Sequence, residues 1–309
     1  MKKKSLEKLS KEIDRSLVFG MGGGGDVVGC IPTAKYLEIL GVDVVLGGLS
    51  WERISVDPLP GPRRIEEIEN CERIGKYAAL VNEETKTNYG VRFSESILCE
   101  FLDNEIVLID INHGVKGTVK AIEDLLNYFN CELVVGIDVG GDVLATGKEN
   151  VKSPLADAIS LSALCKFEKS VAGAFGLGCD GELRIEESLR NISKIAMNNG
   201  LLGARGLTIE DAQFLEVVVE KIPTEASRLP LLAFKGALGK QKIRFNERIA
   251  EISPVSTITF YMDPRKVYEI NPFAKAVNAS NSLEEANKRV NKLGFKTELD
   301  YEAEYSREV

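Results

Sequence analysis

Carboxylates in this chain recur in one setting, beside glycines and just after a short apolar run. Asp26 closes Gly20-Met21-Gly22-Gly23-Gly24-Gly25, Asp138 and Asp142 flank Gly140 and Gly141, and Asp180 and Glu182 flank Gly181. Carboxylates gathered from neighbouring loops suit Mg²⁺, which binds through one or two of them together with a ligand's phosphates. Asp138, Asp142, Asp180 and Glu182 are therefore the candidate metal ligands, and the three aspartates are also candidates for polarising a nucleophile. Each aspartate singly is equally well explained by Asp-Gly turn chemistry. Asp26 is equally well explained as a helix-capping carboxylate worth about 1 kcal/mol.

The glycine loop is the second chemical feature. Glycine at this density tolerates positive φ and close backbone approach. A glycine loop that opens a helix presents free N–H groups and the positive end of the helix dipole. Gly20, Gly22, Gly23, Gly24, Gly25 and Asp26 thus form a candidate phosphate cradle, with Gly140 and Gly141 as a second glycine pair that could approach a ligand. Gly20, Gly22 and Gly25 satisfy the GxGxxG pattern of dinucleotide sites. The second strand ends in Gly47 and Gly48, however, where such a site would place an acid for the ribose hydroxyls. No Gly-Lys-Ser/Thr ending marks a P-loop.

Arg53 and Arg63 could clamp a phosphate by two-pronged contacts, whereas Arg64 reads as a surface residue. His113, the sole histidine, follows Asp110 and Asn112 and is a candidate acid–base group. Trp51, the single tryptophan, fits the core or a stacking platform equally. Of six cysteines, none in a CxxC pair, only Cys179 sits among glycines where it could be exposed at a site. Glu225 and Ser227 could reach the crevice from the C-terminal part.

These residues need a scaffold, and the rhythm of the chain supplies one. Short β-branched runs at Leu17–Phe19, Val42–Leu46, Glu105–Ile109, Glu132–Ile137 and Ser170–Phe175 alternate with helical stretches at 32–40, 117–129, 154–165 and 185–199. Such alternation predicts βαβ units with right-handed crossovers. The fold class is α/β, a doubly wound, mostly parallel, Rossmann-like sheet in three layers. Residues 1–200 form the core with the glycine-rich loop, and 201–309 form a C-terminal α/β extension packed on the same sheet in one domain. A charged helix over 1–15, a helix or two in 65–105 (Phe93 to Leu102 the clearest), a helix over 208–221, a strand over 256–261, a helix capped by Ser282 and a solvated acidic tail from Glu302 complete the expectation. All the candidate loops then follow strands, at the edge where doubly wound sheets bind ligands.

At 309 residues, 44% hydrophobic and 28% charged, the chain has the composition of a globular protein, and its net charge of −8 argues against a nucleic-acid partner. No apolar run is long enough for a membrane span, and no signal-peptide core follows Met1, so the expected location is cytoplasmic. A homo-oligomer is compatible with this composition.

The stretches Gly22–Asp26, Trp51-Glu52-Arg53, Gly61-Pro62-Arg63, Asp138–Asp142, Ser153–Asp157, Gly178–Glu182, Glu225-Ala226-Ser227 and Thr297–Asp300 together resemble an uncharacterised, mainly archaeal domain-of-unknown-function family over nearly the whole chain. That resemblance implies no activity. Asp138–Asp142 followed by Gly147-Lys148 is also similar to a pattern in D-glutamate cyclase-like proteins, departing from it at an Asn-Glu pair. From the residues themselves, the expected function is an enzyme that binds a nucleotide or phosphorylated small molecule, with Mg²⁺-dependent phosphoryl transfer or hydrolysis. The alternatives are an NAD(P)-dependent oxidoreductase and a non-catalytic ligand sensor or assembly subunit.

Overall fold

Strand β1 (Arg15–Gly20) turns Leu17 and Phe19 into one apolar layer and Val18 into the other, as the two-residue period of a strand requires. Both faces are therefore covered, and the run reads as continuously apolar. This is a computed structural model that describes residues 4–243 and 248–308. The further strands are β2 (Asp43–Leu49), β3 (Ile68–Glu69), β4 (Glu72–Ile74), β5 (Ala78–Val81), β6 (Lys86–Thr87), β7 (Ile106–Ile109), β8 (Leu133–Val139), β9 (Ser170–Phe175), β10 (Leu201–Gly206), β11 (Gly239–Ile243), β12 (Arg248–Ile252) and β13 (Ile258–Met262).

Nine of these make one sheet in the order β10-β13-β9-β8-β1-β2-β7-β5-β4. The five central strands, β9 to β7, run parallel, and β13 and β5 add antiparallel edges. Chain order reverses between β1 and β8, which makes that gap the switch point of a Rossmann-like, three-layer α/β fold. Helices Gly114–Phe129, Pro154–Leu164 and Leu283–Asn291 cover one face, and Asp26–Ile39 and Ile209–Val219 cover the other. Strands β10 and β13, from the C-terminal third, hydrogen-bond onto the same sheet. Among the described residues, no helix is long and apolar enough to cross a membrane.

The structure differs from the expectation in four places. The first helix after the glycine loop begins at Asp26 and contains Pro32 within it. The segment 65–105 holds strands β3 to β6 and only a five-residue helix, Ser94–Leu98. The edge strand β4 is short and exposes Glu72 and Arg73, so it lacks the apolar alternation by which strands are recognised. The N-terminal helix covers only Leu6–Ser10, and the expected part at residues 1–3 lies outside the described residues. The acidic end is part of a helix, Glu298–Glu308: Glu304, Tyr305 and Ser306 are exposed as expected, but Glu302 turns inward and accepts hydrogen bonds from Trp51 Nε1 and the Gly61 N–H. Val309 lies outside the described residues.

Candidate functional site

The glycine loop leaves β1 at the switch point, with Gly23, Gly24 and Gly25 all at positive φ. Gly25 is the N-cap residue and Asp26 opens the helix. The Asp26 carboxylate folds back into the loop, where Oδ2 accepts the Gly22 N–H at 3.0 Å. The loop's own acid thus occupies part of the anion seat expected there. A Cβ on Gly22 would lie 2.6 Å from Asp26 Oδ2 and 3.1 Å from Asp157 Oδ2, so the missing side chain leaves room for two approaching carboxylates.

The next wall comes from the carboxyl end of β8. Asp138, buried in the strand, accepts the Val143 N–H at 3.3 Å and shares a hydrogen bond with the Asp142 side chain. Asp142 opens the 3₁₀ turn Asp142–Leu144 behind Gly141, whose φ is 106°. From the loop after β9, Asp180 Oδ1 accepts the Glu182 N–H, and its carboxylate fills the space that a Cβ on Gly140 would need, 2.3 Å from Oδ2. Glu182 is tied down: it accepts from the Lys152 and Ser153 N–H groups, the Ser153 hydroxyl and Arg248.

Asp157, in the first turn of helix Pro154–Leu164, joins Asp26 and Asp138, and Asp142, Asp180 and Glu182 form a second group of three. All six are buried. Burial, reinforced by the neighbouring charges, pushes Asp138, Asp142 and Asp157 well above the ordinary carboxylate range. Burial raises Asp26 to about 7 against the pull of Arg53. Among the described residues, Arg53 acts on Asp26 and Arg248 pairs with Glu182.

Arg53 packs its Cγ 2.8 Å from where a Cβ on Gly24 would stand, and its guanidinium has no hydrogen-bond or ion-pair partner among the described residues. Arg63 is different. Its guanidinium pairs with Asp57 at 3.3 Å and donates to the Leu59, Pro60 and Gly61 carbonyls, so it closes its own loop rather than reaching a ligand. Arg63→Ala is expected to cost about 2–4 kcal/mol in urea denaturation, because it strands a buried carboxylate and three carbonyls. A loss below about 0.5 kcal/mol would show the guanidinium to be dispensable to the fold.

His113 stays outside the carboxylate groups, with its Nε2 3.3 Å from Arg64 Nη1 and its ring 4.4 Å from that of Tyr77. It follows β7, which β2 separates from β1. Cys179 is fully buried in an apolar cluster with Leu229 and Ile252, which removes it as an exposed thiol. Trp51 belongs to the core. Ser227 does reach the loop, with its hydroxyl 3.5 Å from the Gly25 carbonyl. Beyond Glu182, a cleft of about 470 Å³ is lined by Lys152, Arg184 and Arg248, with Arg184 paired to Glu187 and Arg248 to Glu182.

Sequence reasoning left three acids out of the site: Asp157, and the buried pair Glu52 and Glu95. Glu52 accepts the Ser94 N–H, and burial raises both glutamates, Glu95 under the added charges of Glu52 and Asp26. Fold and site together define a Rossmann-like α/β protein whose switch point carries a buried acidic centre under a glycine loop. The chain belongs to the family described as Protein of unknown function (DUF1152), which matches residues 17–306. A comparison with curated proteins gave no match.

Proposed function

We propose that this protein is an enzyme that binds a nucleotide or another phosphorylated small molecule at the switch point, with Mg²⁺, for phosphoryl transfer or hydrolysis. The observation that carries this reading is two buried groups of acids at the ends of β1, β8 and β9: Asp26, Asp138 and Asp157 by the glycine loop, and Asp142, Asp180 and Glu182 by Gly140. Buried carboxylates that raise one another's pKa, as Asp138, Asp142 and Asp157 do, are costly to ionise, and a divalent cation is a partner that offsets their charge while leaving some to meet a phosphate. Bound Mg²⁺ supplies Lewis-acid polarisation of a phosphoryl oxygen. The chain's own part is positioning and charge stabilisation. Arg53, poised over Gly24 with no hydrogen-bond or ion-pair partner among the described residues, takes a phosphate oxygen.

Isothermal titration with nucleotides and sugar phosphates, with and without Mg²⁺, tests this. Binding that needs Mg²⁺ is expected, and Arg53→Ala should weaken it by about tenfold or more, the worth of one charge-assisted contact. Absence of binding to every member of both sets, with Mg²⁺ present, overturns the proposal. Binding without turnover in a coupled phosphate-release assay would turn the reading into that of a ligand sensor.

A further inference from the structure

We propose that Asp26, Asp138 and Asp157 form a divalent-cation position of their own, seated between the glycine loop and the first turn of helix Pro154–Leu164. The sequence pointed instead to Asp138 with Asp142, Asp180 and Glu182. Each of the three offers a carboxylate oxygen, and these oxygens all lie within 4.8 Å of one another. They come from three separate elements: the glycine loop after β1, the end of β8 and the helix after it.

An independent observation picks out this trio. Asp157 is only 4% exposed, and among the described residues its Oδ1 has no hydrogen-bond partner. A buried polar atom left unpaired calls for a ligand that the protein alone does not supply. By contrast, Glu182 in the other trio has both oxygens engaged by Arg248, Ser153 and two backbone N–H groups. The loop also leaves these oxygens room, since a Cβ on Gly22 would stand 2.6 Å from an oxygen of Asp26 and 3.1 Å from one of Asp157. An all-oxygen, all-carboxylate set selects a hard ion such as Mg²⁺ or Mn²⁺. The sole histidine lies elsewhere, against Tyr77 and Arg64.

The position deepens the proposed function and rests on it for a role, but its occupancy is measurable with the metal alone. Full-length protein stripped with a chelator is titrated with Mn²⁺, the free ion being followed by electron paramagnetic resonance. Wild type should take up Mn²⁺, and Asp157→Asn and Asp26→Asn should each weaken uptake by about tenfold or more. Because asparagine keeps the size of aspartate, both variants should retain wild-type tryptophan emission; if one does not fold, the other decides. No Mn²⁺ uptake by wild type, or wild-type affinity in the folded variants, overturns the assignment. Mn²⁺ uptake lost in the variants without any nucleotide or sugar-phosphate binding removes the proposed function and leaves this position standing. Nucleotide binding with unchanged Mn²⁺ affinity in the variants does the reverse.

Discussion

Asp138→Asn should make the metal-free protein more stable at pH 7 and leave its stability unchanged near pH 4. Asp138 is 1% exposed, and burial first, then the charges of Asp157, Asp26 and Asp180, hold its carboxyl well above the usual 3.8. A carboxyl whose folded pKa exceeds its unfolded one favours the folded state fully only below the unfolded value. That contribution is lost progressively as pH rises from about 4 toward the folded pKa, at no more than about 1.4 kcal/mol per pH unit. Asparagine stays neutral, so it escapes the loss while its side-chain oxygen still accepts the Val143 N–H. The expected gain is a higher urea midpoint for the variant at pH 7, absent near pH 4. Mg²⁺ should shrink the difference between the two proteins. At a hundredfold excess over its dissociation constant it stabilises wild type by about 2.7 kcal/mol, and it has little hold on the variant. Urea denaturation at both pH values, with and without Mg²⁺, checks this. A variant less stable than wild type at pH 7 without metal would mean that hydrogen bonding outweighs repulsion around Asp138.

The same residues explain how far the sequence could be read. Strands β1, β8 and β9 are short and apolar on both faces, and the acids that follow them sit among glycines, so the switch-point edge was legible from spacing alone. Asp157 was not, because an aspartate in the first turn of a helix reads as a response to the helix dipole. One signal was available: Asp157 is the single charge in Pro154–Leu164, a helix otherwise of apolar and small residues, so its carboxylate is buried and needs a partner. Arg63 misled for the opposite reason. Arginine among prolines looks available to a ligand, but its donors turn back onto carbonyls that the Pro-rich loop leaves unpaired. The tail misled through composition. Glu298 and Glu302 lie four apart on one helical face, and both point inward, although their neighbourhood is acidic.

That inward face yields the second large effect. Glu302→Ala should cost about 1–3 kcal/mol, because it leaves the Trp51 indole N–H and the Gly61 N–H without their acceptor. Trp51 is the only tryptophan, so its emission reports the loss directly as a red shift. Burial pushes Glu302 from 4.5 up to about 7, against the N–H donors of Gly61 and Trp51 and the charge of Arg63, with Asp57 adding to the rise. The sign follows as for Asp138: stability falls as pH climbs from about 4.5 to about 7 and then levels off, and Glu302→Gln removes that slope. Wild-type Trp51 emission should titrate with a midpoint near 7, and the Gln variant's should not. An emission profile flat from pH 5 to pH 9 in wild type would show that the indole does not sense this carboxyl. The contact matters beyond its own energy because one helix touches two walls of the centre. Glu298 accepts the Leu155 and Ala156 N–H groups beside Asp157, and Glu302 holds the loop that carries Trp51 and leads to Arg53. Glu302→Ala should therefore weaken Mg²⁺-dependent ligand binding through Arg53 while leaving Mn²⁺ uptake near its wild-type value, and equal losses in both measurements would refute that division between the walls.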